Sequence, residues 1–193
     1  MSSDLAVEPT RRRLSKRQAD TVRRLTEAAI EELRDVGYTG LTMRNVATRS
    51  GVAAATAYTY FSSKNHLITE VFWRQLRELP QVPADQGLVV ERVVKVLRDI
   101  ALLVAGEPEV AAACTAALLG DDPDVAHLRE RIGAEWHRRL DAALGDASDP
   151  DVLNALEIAL GGALIHAGLG YCSYERMADL LESSARLILG GRA

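Results

Sequence analysis

The chain has 193 residues, 48% hydrophobic and 26% charged, which suits one large folded domain or two small ones. Its formal net charge is −4, and Cys114 and Cys172 stand far apart without a CxxC spacing, which argues against a disulfide framework and a zinc ribbon and fits a reducing compartment. Residues 1–9 carry Asp4 and Glu8 with no apolar core, and the most apolar long window, 152–171, holds Asn154, Glu157 and His166, so a soluble cytoplasmic protein without a leader or membrane partner is expected.

Residues 1–15 read as a disordered basic arm ending in Arg11, Arg12 and Arg13, followed by Lys16 and Arg17. The arginines are either a solvated charge run or an arm for the minor groove. A first helix is expected over 16–36, where Val22, Leu25, Ala29, Ile30 and Leu33 recur at helical spacing and Gly37 follows as a left-handed cap. Gly40 turns the chain into Thr42, the N-cap of a short helix over 43–49 with Val46 and Ala47 inward. Gly51 supplies the backbone freedom for a turn, and a further short helix spans about 54–61. Ser62 and Ser63 then cap a fourth helix, 64–79, with Leu67, Ile68, Val71, Phe72 and Leu76 as its apolar positions.

Pro80, Pro83 and Gly87 mark a boundary, after which helices are expected over 88–105, 108–119, 123–144, 150–171 and 174–189. Pro108, Pro123 and Pro150 fall at favoured first-turn positions. No stretch alternates as a strand would, so the fold class is all-α. The domains expected are a helix-turn-helix unit of three helices over 16–64, a connecting helix over 65–79, and a helical ligand-binding and dimerisation domain over 80–193.

Two short helices joined by a glycine turn are a common way to place a helix in the DNA major groove. Charge agrees: residues 1–64 hold eleven Lys/Arg against seven Asp/Glu, whereas residues 65–193 hold twelve against twenty. The amides at Thr42 and Met43 can bind phosphate at a helix start, and Arg44 beside them can address a guanine edge. Ala54 and Ala55 permit close approach and contact with thymine methyls. Thr56 and Thr59 carry hydroxyls, Tyr58 and Tyr60 can bond phosphates, and Lys64 adds a point charge. Phe61 is expected in the core. With few long polar side chains on the second short helix, Arg44, the threonines and DNA shape are expected to carry much of the specificity.

The stretch TMRNVATRSGVAAATAYTYFSSKNHL (42–67), preceded by RDVGYTGLT (34–42), resembles the TetR family of bacterial transcriptional regulators, most specifically in the spacing of Tyr58, Tyr60, Phe61, Lys64 and Leu67. The resemblance covers about 16–71. It implies double-stranded DNA as partner, contacts at the positions just named, and a homodimer on a palindrome. Two departures stand out. Ala53 replaces a Ser or Thr cap, and Ala57 replaces a larger aliphatic residue, which implies tighter helix packing.

The last two helices are the natural dimer surface, with a stripe of Val152, Leu156, Ala159, Leu160, Ala163 and Leu164 facing Leu180, Leu181, Leu187 and Ile188; the bland reading of that stripe is an intrachain core. The alanine-rich segment 110–119 leaves space for a small-molecule effector of apolar or amphipathic character, with Cys114, Thr115, Trp136 and His166 as candidate lining. Each of these also has a bland core reading, and His127 and His137 read as surface. No metal or cofactor is expected. A regulator lacking an effector stays open as a second reading, and a helical enzyme is a remote third, since no GxSxG, HExxH or phosphate loop occurs.

Overall fold

The computed structural model describes residues 15–85 and 87–190, so the arginines at 11–13 lie outside the described residues. Nine α-helices are described: α1 (Lys16–Gly40), α2 (Met43–Ser50), α3 (Ala54–Tyr60), α4 (Lys64–Glu78), α5 (Val89–Ala101), α6 (Pro108–Leu118), α7 (Pro123–Leu144), α8 (Pro150–Gly168) and α9 (Tyr174–Gly190). No strand occurs among the described residues.

Local chemistry explains the helix limits. Ser15 and Gln18 form a reciprocal capping box at the start of α1. Thr42 Oγ1 accepts from the Asn45 amide at 3.2 Å, and Ser63 Oγ from the His66 amide at 3.0 Å. Asp122 and Asp149 cap α7 and α8, and proline occupies the first turn of α6, α7 and α8 as expected. Gly37 breaks the helical path where the sequence placed its end: its φ of 66° is positive, as expected, but ψ is 179°, a conformation open essentially to glycine. A short further turn beyond this kink carries α1 to Gly40. The helix expected to reach 171 stops at Gly168.

The N-terminal helices pack through the predicted residues. Val22, Leu25, Ala29 and Leu33 of α1 meet Val46 and Ala47 of α2, Ala57 of α3, and Phe61, all fully or almost fully buried. Polar contacts fix α2 on α1. Arg49 donates to Glu32 at 2.7 Å and pairs with Asp35 and Glu31, and Arg24 donates to the Ser50 carbonyl. The Arg49 guanidinium accounts for Glu32, a carboxylate that is otherwise buried.

α4 is the shared element. It touches α1, α6 and α7, and buries His66 to Trp73 together with Leu76. α4 and α7 run side by side in one direction, because their starts meet at Ser63 and Asp122 while Arg139 reaches the end of α4. Arg139 is 5% exposed and donates to the carbonyls of Leu76, Leu79 and Pro80 at 3.0, 3.1 and 3.2 Å. It adds donors to the carbonyls at the end of α4, where the intrahelical ladder runs out.

Further along the chain, α5 lies between α7 and α9, and α8 packs on α9 and α6. Ala111, Ala113 and Ala117 are buried where α6 comes close to α1, α4 and α8, and a methyl on Gly168 would overlap the Thr115 side chain. Small residues here permit close helix approach.

The expected dimer stripe also needs correction. Val152, Leu156 and Leu160 are buried within the chain itself, as is Leu181. The uncovered apolar side chains are instead Ile158 (75% exposed), Ile165, Leu169 and Tyr171, with Leu180 and Leu187 (77%) on α9. The expected stripe is therefore split: Val152, Leu156, Leu160 and Leu181 belong to the intrachain core, whereas Leu180 and Leu187 stay open together with Ile158 and Ile165.

Candidate nucleic-acid interface

α2, the turn and α3 form a rigid corner. Gly51 adopts φ 64° and ψ 30°, the left-handed region that favours glycine, and its amide donates to Thr48 O at 3.1 Å while Val52 N donates to Ala47 O at 2.9 Å. α3 is seven residues long and buries Ala57 alone. Phe61 follows as its C-cap, fully buried, with its amide on Ala57 O at 3.0 Å. The small Ala57 lets α3 sit close on its neighbours, as the sequence implied. Ala53 makes no side-chain cap, so the first amides of α3 stay open.

With Ala57 inward, the other positions of α3 turn outward. Ala54, Ala55, Thr56, Tyr58 and Thr59 are exposed, Tyr58 to 55%, whereas Tyr60 is half-buried against the core. Thr59 Oγ1 donates to the Ala55 carbonyl at 3.0 Å, so its hydroxyl presents acceptor capacity to an outside partner. Thr56 makes no side-chain hydrogen bond among the described residues.

α2 presents its start beside this surface. Thr42 and Arg44 are exposed, and Arg44 has no ion pair among the described residues. Met43 is buried, so only its amide can serve a phosphate. Thr48, four residues on from Arg44 and therefore on the same helix face, is also exposed and was missed by the sequence reading. Lys64 is half-buried. Its ammonium donates to the Tyr38 carbonyl at 2.9 Å and lies 4.2 Å from the Tyr38 ring centroid, tying the end of α1 to the start of α4. Two of its three donors remain for another partner.

The four candidate ligand residues differ in surroundings. Cys114 is buried beside the Ile68 carbonyl, and burial pushes its thiol up to about 12. Thr115 is half-buried and donates to Ala111 O at 3.2 Å. Trp136 is half-buried, with Nε1 enclosed and unpartnered among the described residues. His166 is exposed, stacked near Tyr171, and lines a shallow hollow of about 360 Å³ with Ile158, Gly162, Cys172, Met177 and Leu180. Cys114, Thr115 and Trp136 do not line that hollow. His127 and His137 lie on the surface as expected. Among the described residues no three His, Cys, Asp or Glu side chains gather as metal ligands would, and no helix is long and apolar enough to cross a membrane.

Comparison with known proteins agrees with this corner. The model for bacterial regulatory proteins of the tetR family matches residues 25–71, which span most of α1, all of α2 and α3, and the first half of α4. An uncharacterized HTH-type transcriptional regulator of Mycobacterium tuberculosis is 48% identical over 203 residues, covering 99% of this chain and 95% of that protein. A TetR transcriptional regulator from Rhodococcus sp. RHA1 has a similar structure, with a TM-score of 0.74 at 22% identity over 93% of this chain and 100% of that one. FadR from Bacillus subtilis, solved in complex with stearoyl-CoA, has a TM-score of 0.59 at 17% identity over 89% of this chain and 99% of its own. The chain belongs to the TetR family of bacterial transcriptional regulators, which are DNA-binding helix-turn-helix proteins and not enzymes.

Proposed function

We propose that the chain represses transcription by binding a palindromic operator as a homodimer, with α3 in the major groove, and that an apolar or amphipathic small molecule releases it. One observation carries the DNA half of this reading. α3 turns Ala54, Ala55, Thr56, Tyr58 and Thr59 outward while Ala57 alone is sealed. A surface of alanines, threonines and a tyrosine on a short rigid helix suits a groove better than a protein core. Thr42, the Met43 amide, Tyr58, Tyr60 and Lys64 are the phosphate contacts in this account, and Arg44, Thr56 and Thr59 read base edges. The domain division follows: 16–64 for DNA, 65–79 as the connection, and 80–193 for dimer and effector.

The open apolar face of α8 and α9 supports the dimer. Ile158, Ile165, Leu169, Leu180 and Leu187 are large and exposed, with Ile158 and Leu180 lining the hollow beside His166, and such a face is unusual on a soluble monomer. Facing copies would cover it in a two-fold arrangement. The effector reading has two supports. Trp136 Nε1 is a buried donor that a polar head group would satisfy, and the similarly folded FadR was solved with stearoyl-CoA, an amphipathic ligand.

The tests begin with a duplex selected by the full chain from a randomised library. Arg44→Ala is expected to weaken binding by about 1–3 kcal/mol and to relax preference at one base position, whereas Tyr58→Phe weakens binding alike on all sequences. A preference unchanged in Arg44→Ala removes that residue from base readout. For the dimer, Ile158→Glu combined with Leu187→Glu is expected to halve the mass in sedimentation with helicity retained; an unchanged mass places the interface elsewhere. For the effector, stearoyl-CoA is expected to raise the melting temperature and to release the duplex, because a ligand that stabilises one state must bind it better. If neither changes, stearoyl-CoA is excluded as an effector of this chain.

A further inference from the structure

One carboxylate joins the starts of two helices from opposite halves of the chain. Asp122 Oδ1 accepts from the Asp124 amide at 2.9 Å and so caps α7. Its Oδ2 accepts from the Ser63 hydroxyl at 2.5 Å, across 59 positions of sequence. Ser63 is itself the N-cap of α4, since its Oγ accepts from the His66 amide. Ser63 thus receives a bond from its own helix and passes one to Asp122.

The same contacts continue toward α3. The Ser62 amide donates to His66 Nδ1 at 3.3 Å, and the His66 ring meets Phe61 edge-on at 5.4 Å between centroids. Phe61 is the C-cap of α3. From Asp122 to the last turn of α3, every step is therefore a direct contact: Asp122, Ser63, His66, then Ser62 and Phe61. The loop carrying Asp122 is pressed against the same place, because a Cβ on Gly120 would lie 2.9 Å from Asn65 Nδ2.

Asp122 is held as a carboxylate. Burial alone would raise its pKa, but the Ser63 hydroxyl, the amides of Asp124 and Val125, and nearby His66 together keep it below the ordinary range. A charged acceptor makes the stronger kind of hydrogen bond. At the other end of α6 a second acid reaches the N-terminal helices, where Glu107 pairs with Arg34 of α1 through both carboxylate oxygens. α6 is thus flanked by two acids that grip α1 and the start of α4. Any displacement of α6 acts on both.

We propose that Asp122 is a positioning residue for DNA recognition: by capping α7 with one oxygen and holding the Ser63 cap of α4 with the other, it sets the angle at which α3 is presented. This inference rests on α3 being the DNA-reading helix. It identifies the junction through which the C-terminal helices act on that reading. Arg139 fixes the far end of α4; at the start, Lys64 and Asn65 hold α4 to Tyr38 of α1, and the Ser63–Asp122 bond holds its cap to α7.

Asp122→Asn separates this role from simple stability. Asparagine caps a helix as well as aspartate does, so α7 keeps its cap. The atom facing Ser63 becomes an amide nitrogen, which cannot accept the serine proton. In the full-length variant, melting temperature and exchange at amides 125–128 are expected to stay near wild type. Amide exchange over 55–66 is expected to rise, and affinity for the selected duplex to fall by about tenfold, the size of one charge-assisted hydrogen bond. Ser63→Ala, which also strips the cap of α4, is expected to lower the melting temperature as well as to raise exchange over 55–66 and weaken binding, the double variant to bind no more weakly than Ser63→Ala alone, and Ser63→Thr to keep wild-type behaviour. Wild-type exchange over 55–66 together with wild-type affinity in Asp122→Asn overturns the proposal, as do additive effects of the two substitutions. If the wild-type chain selects no duplex, the DNA reading fails separately, and the exchange measurement on free protein still decides the junction.

Discussion

A seven-residue helix cannot hold itself in place in water. The orientation of α3 is therefore imposed from outside, and the rest of the molecule follows from how that is done. One side chain, Ala57, is sealed against the core, and Phe61 anchors the exit. Gly51 fixes the entrance with a backbone conformation that other residues rarely adopt. Arg49 and Arg24 lock α2, to which α3 is joined, onto α1. Each device holds α3 from behind, which leaves its outer residues free of structural duty.

The C-terminal helices reach this corner through α4. Being buried on most sides, α4 cannot move without disturbing α1, α6 or α7. Arg139 binds three carbonyls at its end, and Asp122 binds its cap at the start. An all-or-none shift between two packings is what such a clamped helix can transmit, because close-packed interiors do not deform gradually. The alanines of α6 fit this view. They bring α6 into close contact with α1 and α4, so that motion of α6 passes to both without slack.

How far the sequence alone could foresee this depended on distance along the chain. The Thr42 cap, the Gly51 turn, the inward Val46 and Ala47, the missing cap at Ala53 and the proline helix starts are local, and each was readable. The contacts of Arg139 and Asp122 join residues about 60 positions apart, and nothing in their neighbourhoods announces them. The covered and open sides of α8 were hard to tell apart for another reason. α8 is apolar nearly all round, so periodicity cannot say which side its own chain covers, and only the packing of α9 and α6 shows that Leu156 and Leu160 turn inward while Ile158 does not. Alanine was ambiguous in the same way, since a small side chain serves a cavity and a close helix contact equally. Lys64 and Met43 show that a matching motif position leaves open whether a side chain or only its backbone faces outward.

The central claim is that the outer face of α3, presented twice by a two-fold dimer, meets DNA. A photo-reactive amino acid in place of Tyr58, cross-linked to the selected duplex and mapped base by base, tests it most directly. Two cross-links are expected, related by the dyad of a palindrome and separated by one helical turn, roughly 34–36 Å. Cross-linking at a single position, or a duplex that binds tightly without reacting at position 58, would contradict it.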